Sequence, residues 1–230
     1  ECSQIHHDLI ETYTQDFHKY AKKYQLKYLH LILDKIPRLA GQPFRFSQVS
    51  EHYRAREFSP CFDLIVKAKI AHPVFHSSGS GLPLGAEMNP KKFKVFFLDV
   101  ALHQAQLGLE TKSWILDPHT AFVNKGEITE SFIAQELLAY LPADRVQQLY
   151  YWHREARASQ AEVDFLIERA GKVIPVEAKS GTSGRLRSLR MFLELHPQSP
   201  LGIQFSTQNY SVFEKIHSYP LYAVHAALNQ

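Results

Sequence analysis

Several features that would place this chain in a familiar class are missing from its 230 residues. Only two cysteines occur, Cys2 and Cys61, so we expect no disulfide framework and a reducing, cytoplasmic compartment. No apolar run reaches the roughly 18 residues of a membrane-spanning helix, and we expect no membrane partner. The GxxxxGK[ST] phosphate-binding loop is also absent, which predicts neither ATP binding nor ATPase activity in this chain.

The chain has little net charge and little methionine. Its 26 Lys and Arg residues nearly balance 23 Asp and Glu residues, so the formal charge of +3 neither demands nor excludes a nucleic acid. The hydrophobic fraction of 45% is enough for a substantial core. Because the sequence starts at Glu1 and its methionines are Met88 and Met191, we expect a processed, truncated or cloned fragment of a longer protein.

Patterns along the chain predict an α/β (α+β) protein with four parts. These are a helical segment at 1–40, a winged-helix-like domain at 41–108, a connection at 109–125 and a mixed α/β domain at 126–230. The first helix carries a stripe of Tyr13, Phe17 and Tyr20. We expect this stripe to be exposed and to promote a homo-oligomer.

The winged-helix interpretation of 41–108 rests on the order of its predicted elements. Two short helices are followed by strands at 71–76 and 93–98, with a loop rich in glycine and serine at 77–85 as the tip of the wing. Lys67 and Lys69 follow the candidate recognition helix and are candidate nucleic-acid-binding residues. Packing of this domain against a protein partner remains the alternative.

The second domain has the order αβββαβ. We predict helices at 128–141 and 186–195, and strands at 146–152, 163–167, 173–178 and 201–205. The second of these helices is basic, with Arg185, Arg187 and Arg190 as candidate nucleic-acid-binding residues. The alternative for each arginine is a solvated surface charge.

Two of the predicted strands carry acidic and basic residues among apolar ones. Asp164 lies between Val163 and Phe165, while Glu177 and Lys179 are two residues apart and therefore share a face of their strand. A short link between the strands is typical of a hairpin, which would bring Asp164 near Glu177. Two buried carboxylates need compensation, and magnesium prefers such oxygen ligands. The alternative is an amphipathic hairpin whose polar face meets solvent.

Longer segments give the chain a family resemblance. DLIETYTQDFHKYAKK at 8–23, LPLGAEMNPKKFKVFFLDVAL at 82–102 and GEITESFIAQELL at 126–138 are similar, in this order, to the C-terminal half of a large group of prokaryotic AAA-type ATPases. EVDF and VEAKSG resemble the motifs of the PD-(D/E)XK nuclease-like, or restriction-endonuclease-like, domain that ends those proteins.

That resemblance implies specific roles for residues of this chain. Glu130, with Glu136 as the alternative, would join Asp164 and Glu177 as ligands of Mg²⁺ or Mn²⁺, and Lys179 would be the catalytic lysine. It also implies that an ATPase domain upstream of this segment is a partner.

The expected function is Mg²⁺-dependent phosphodiester hydrolysis, which makes the chain a nuclease-like module for nucleic acid, with DNA rather than RNA as substrate. The alternative is a non-catalytic DNA- or protein-binding regulatory module of the ATPase. A toxin–antitoxin-like or mobile-element accessory protein is a third class that the residues leave open.

Overall fold

A computed structural model describes residues 2–109, 125–141, 148–154, 161–181 and 186–229. The helices in these ranges are α1 (Cys2–Tyr20), α2 (Leu26–Leu39), α3 (Phe46–Val49), α4 (Ala55–Lys67), α5 (Val100–Gln106), α6 (Lys125–Tyr140), α7 (Arg187–Leu195) and α8 (Val224–Leu228). The strands are β1 (Ala71–Ser77), β2 (Met88–Phe97), β3 (Leu149–His153), β4 (Glu162–Arg169), β5 (Lys172–Ala178), β6 (Gly202–Ser206), β7 (Ser211–Phe213) and β8 (Ile216–Pro220). Short 3₁₀ turns occur at Leu84–Glu87 and Leu221–Ala223.

The strands form a mixed sheet in the order β2-β1-β3-β4-β5-β6-β8-β7. β1 pairs in parallel with β3, and β5, β6 and β8 are parallel neighbours. β3, β4 and β5 form an antiparallel set, and β7 is antiparallel to β8. The predicted mixed α/β class is therefore confirmed. None of the helices in the described ranges is both long and apolar enough to span a bilayer.

The described residues divide into two compact units, one from 1–73 with 94–124 and the other from 74–93 with 125–230. The first unit has a helical core in which α2 buries Leu29, Ile32 and Ile36 at helical spacing. An aromatic cluster of five rings joins α2, α3 and α4: Tyr28, Phe44, Phe46, Phe58 and Phe62. In the predicted aromatic stripe of α1, Phe17 is buried, Tyr13 is half-buried and Tyr20 is 77% exposed.

The second unit contains the predicted αβββαβ order as α6, β3, β4, β5, α7 and β6. Helix α7 packs on the sheet through Leu189, Phe192 and Leu193, which share a core with residues of β4 and β5. At Gly202 of β6, an added Cβ would lie 2.9 Å from a carbon of Leu189. The close approach of α7 to this face of the sheet therefore requires glycine at that position.

The segment that we predicted as a wing has a different place. β1 pairs with β3, with Val74 opposite Leu149, and residues 74–93 group with the second unit instead of with the rest of 41–108. Hydrogen bonds join the loop at 77–85 to the end of α7, because His196 Nε2 lies 3.0 Å from Ser78 O and Gln198 Nε2 donates to Ser80 O at 2.7 Å. The division of the chain thus differs from the predicted boundaries at 41 and 108.

Candidate carboxylate–lysine site

The hairpin of β4 and β5 sets the position of the predicted site. Its turn is Ala170-Gly171, with φ of 48° and 71°, the left-handed pair that a tight two-residue hairpin turn requires. Arg169 faces Lys172 across the turn, and Phe165 faces Val176 further along the strands. Because side chains alternate between the two faces of a strand, this register fixes which side chains of the two strands share a face.

Continuing the same register places Asp164 opposite Glu177. Both side chains are buried, with 7% and 5% of their surface exposed. Asp164 Oδ2 accepts a hydrogen bond of 2.8 Å from the backbone N–H of Ala178, which holds its carboxylate against β5. The predicted proximity of these two residues therefore follows directly from the hairpin.

Lys179 supplies the cation of the site. Its Nζ forms an ion pair with Glu177 Oε1, and 32% of its side chain is exposed against 6% for Glu177. Burial alone would lower the pKa of Lys179, but the charges of Glu177, Asp164 and Glu130 outweigh it and raise that pKa above its ordinary value of 10.5. Lys179 is accordingly protonated at neutral pH.

The same electrostatic coupling bears on the choice between two glutamates of α6. Glu130 is among the carboxylates that raise the pKa of Lys179, whereas Glu136 is not among the causes of that shift. Six residues of helix separate the two by about 120° around the helix axis, so they do not share one face. Of these two glutamates, only Glu130 is among the charges that act on Lys179, and both stay predicted metal ligands.

These residues fit a divalent cation in their chemistry, since carboxylate oxygens are the ligands that magnesium prefers. In the described ranges, however, no three His, Cys, Asp or Glu side chains are grouped closely enough to hold a metal ion as they stand. The ion pair with Lys179 engages one oxygen of Glu177. A metal ion would therefore bind a carboxylate that already holds the lysine through its other oxygen.

The predicted nucleic-acid-binding residues lie in both units. Lys67, in the last turn of α4, and Lys69 are both exposed in the first unit. Arg187 and Arg190 are exposed on α7 in the second unit. Arg185 lies outside the described residues.

Arg190 is partly engaged within its own unit. Its guanidinium group lies 5.1 Å from the centroid of the Phe213 ring, and its Nε is 3.9 Å from a carboxylate oxygen of Glu214. No hydrogen bond or ion pair of Arg187 occurs among the described residues. Of these two arginines, Arg187 is the less constrained.

Two polar residues beside the site were not predicted. Gln204 of β6 pairs with Glu177, and Ser218 of β8 pairs with Gln204, so a polar strip of Asp164, Glu177, Gln204 and Ser218 crosses four neighbouring strands. The signal was present in the sequence, because Gln204 lies between two apolar residues of a buried strand as Asp164 does.

The fold and the site together define a mixed α/β protein with a buried carboxylate–lysine cluster. Residues 125–224 match the model of a domain of unknown function, DUF4143, which is found in AAA-ATPase-associated proteins. Residues 2–113 match the model of a second domain of unknown function, DUF8612. Comparisons with curated proteins and with solved structures gave no match.

Proposed function

We propose that this chain is a Mg²⁺-dependent nuclease-like module that acts on nucleic acid, DNA rather than RNA, as part of an AAA-type ATPase system. The observation that carries the proposal is the burial of Asp164 and Glu177 beside Lys179 in a largely apolar sheet. Buried charges of this kind are costly, and they are common where they serve catalysis or bind a ligand. The DUF4143 match supports the link to an ATPase.

In this proposal Glu130, Asp164 and Glu177 hold Mg²⁺ or Mn²⁺, within a PD-(D/E)XK or restriction-endonuclease-like domain. When bound, the metal would polarise the phosphodiester and lower the pKa of a water molecule. The hydrogen bond from Ala178 N fixes Asp164, so this ligand is oriented before a metal arrives.

Lys179 acts as a cation in this scheme. In the metal-free chain the neighbouring carboxylates raise the pKa of Lys179, so its side chain carries a proton at neutral pH. It can donate a hydrogen bond to a phosphate oxygen and stabilise the negative charge that develops there. It can also orient the attacking water by donating to it.

Cleavage of labelled single- and double-stranded DNA, with RNA of the same sequence alongside, tests the proposal. We expect cleavage with millimolar Mg²⁺ and none in EDTA. Asp164→Asn and Lys179→Met should each reduce the rate by about 10²–10³-fold, as removal of a catalytic group commonly does. Glu168→Gln is the matched control, since Glu168 is an exposed carboxylate on the same strand and its loss should leave the rate unchanged.

The second candidate is a non-catalytic DNA- or protein-binding module that regulates the ATPase. The pairing of Glu177 with Lys179 favours it, because these two charges already compensate each other in part. In this case DNA binding would persist without cleavage and would weaken with salt. Wild-type protein that binds DNA in EDTA but does not cleave it with Mg²⁺ or Mn²⁺ would replace the first candidate with this one.

Charge reversal locates the binding surface in either case. Reversal of Lys67 and Lys69 should weaken binding if the first unit contacts DNA, and reversal of Arg187 and Arg190 should do so if the second unit does. Each lost phosphate contact should reduce the slope of log K against log salt by about 0.9 for duplex DNA. If neither pair changes the affinity, a protein partner such as the ATPase domain is the better assignment for both surfaces.

A further inference from the structure

The polar strip extends the candidate site beyond the carboxylates and the lysine. Gln204 lies between Glu177 and Ser218 in the strand register, and Gln204 and Ser218 are each only 9% exposed. On the same face, Gly202 and Ile216 lie one step away and contact α7 through Leu189 or its neighbours. The strip therefore begins where the apolar packing of α7 ends.

The hydrogen bond that holds the Gln204 side chain involves its amide oxygen and not its amide nitrogen. The hydroxyl of Ser218 donates to Gln204 Oε1 at 2.9 Å, which fixes the orientation of the amide group. Among the described residues, no acceptor is found for the N–H groups on Gln204 Nε2. The nitrogen is not among the fully buried polar atoms that lack a partner, so it reaches solvent, where a ligand can meet it.

We propose that Gln204 is a substrate-binding residue whose amide nitrogen donates a hydrogen bond to a phosphate oxygen of a nucleic acid, and that Ser218 is a positioning residue for it. This inference rests on the proposed nuclease-like function. The Ser218 hydroxyl occupies the amide oxygen, so the nitrogen is the atom available to a ligand. An uncharged donor also suits this place, because it attracts phosphate without forming an ion pair with Glu177.

One substitution separates a ligand-binding role from a structural one. Gln204→Met keeps the length of the side chain and removes the donor. It also removes the acceptor of the Ser218 hydroxyl, so it should cost some stability in either case. A glutamine with only a structural role should leave the affinity of the folded chain unchanged, whereas a ligand-binding glutamine should weaken binding.

The experiment measures binding of fluorescent single- and double-stranded DNA in EDTA, so that no metal or turnover is needed, and the thermal midpoint of each variant. We expect about tenfold weaker binding for Gln204→Met and a larger loss for Gln204→Glu, which replaces the donor with a negative charge. Thr207→Glu places the same charge on an exposed neighbour and should change affinity less than about twofold. Ser218→Ala should fall between wild type and Gln204→Met.

The outcomes separate this inference from the proposed function. Wild-type affinity in Gln204→Met, with Asp164→Asn still abolishing metal-dependent cleavage, overturns the role of Gln204 and leaves the nuclease proposal intact. Equal losses for Gln204→Glu and Thr207→Glu also overturn it, because general repulsion would then explain both. A wild-type chain that neither binds nor cleaves nucleic acid removes both proposals together.

Discussion

Acidic side chains are buried to different extents in the helical core of the first unit and in the sheet of the second unit. In the first, Glu57 is only half-buried at the edge of the aromatic cluster, where its carboxylate accepts hydrogen bonds from Tyr28 Oη and Arg54 N at 2.8 Å each. In the second, Asp164 and Glu177 are buried within the sheet itself. The first arrangement is typical of a core built for stability, and the second keeps charges where they cost stability.

The largest effect on folding stability should come from a substitution in the aromatic cluster of the first unit. Phe58 is fully buried and packs against Tyr28, Phe46 and Tyr53. We expect Phe58→Ala to lower the free energy of unfolding by about 3–5 kcal/mol, because it leaves a cavity among these rings. Chemical denaturation followed by near-ultraviolet circular dichroism measures this.

Tyr20→Ala is the control for that substitution, since Tyr20 is 77% exposed and its loss should cost less than about 0.5 kcal/mol. A loss below about 1 kcal/mol for Phe58→Ala would mean that the cluster is not the main source of stability in this unit. The contrast between the two units would then be weaker than we describe.

A smaller loss of folding stability should follow removal of the Lys179 charge from the sheet. Lys179→Met leaves Glu177 and Asp164 buried without it, and we expect a cost of about 1–3 kcal/mol after allowance for the partial exposure of the lysine. Adding Glu177→Gln to this variant should restore part of the stability. For comparison, Lys19→Met breaks a surface ion pair with Asp16 and should cost at most about 1 kcal/mol.

Metal should stabilise the second unit and leave the first unaffected. If the carboxylates bind Mg²⁺, a concentration ten times the dissociation constant should add about 1.4 kcal/mol. Asp164→Asn should abolish this gain, while Glu57→Gln should keep it. A melting temperature that does not change across millimolar Mg²⁺ and Mn²⁺ in the wild type would argue against the metal site.

The smallest expected effect is on how the stability contributed by Lys179 depends on pH. The pKa of Lys179 is raised in the folded chain, so its contribution to stability is complete below pH 10.5 and is lost as the pH rises through the higher folded value. The stability difference between wild type and Lys179→Met should thus be constant from pH 8 to 10 and shrink above about pH 10.5. A difference that shrinks already below pH 9 would contradict the raised pKa.

The sequence was sufficient for the elements whose signals are local. The polar residues set among apolar ones in EVDFLI and IPVEAKS, with the Ala-Gly link between them, predicted the hairpin, and with it the proximity of Asp164 and Glu177. The order α6, β3, β4, β5, α7 and β6 was also predicted, with boundaries that differ by a few residues.

Long-range pairing explains what was not predicted. β1 lies between β2, the other strand of the predicted hairpin, and β3, which is more than 70 residues away in the chain. No local pattern predicts that second pairing. β8 enters the sheet between β6 and β7 although it follows both in the chain, so the contact of Ser218 with Gln204 was not foreseen. Polar residues that face one another across parallel strands become visible only when the register is known.

Two glycines, Gly202 and Gly79, are required by the packing of α7 and not by the chemistry of the candidate site. An added Cβ at Gly202 would meet Leu189, and at Gly79, where φ is +69°, it would lie 3.0 Å from Leu166 and Phe192. The absence of a side chain at both positions therefore allows α7 to pack closely, at Gly202 against the sheet and at Gly79 against the loop bonded to the end of the helix. Among diverging relatives that retain this packing, we expect both glycines to persist even in lineages whose carboxylates have been lost.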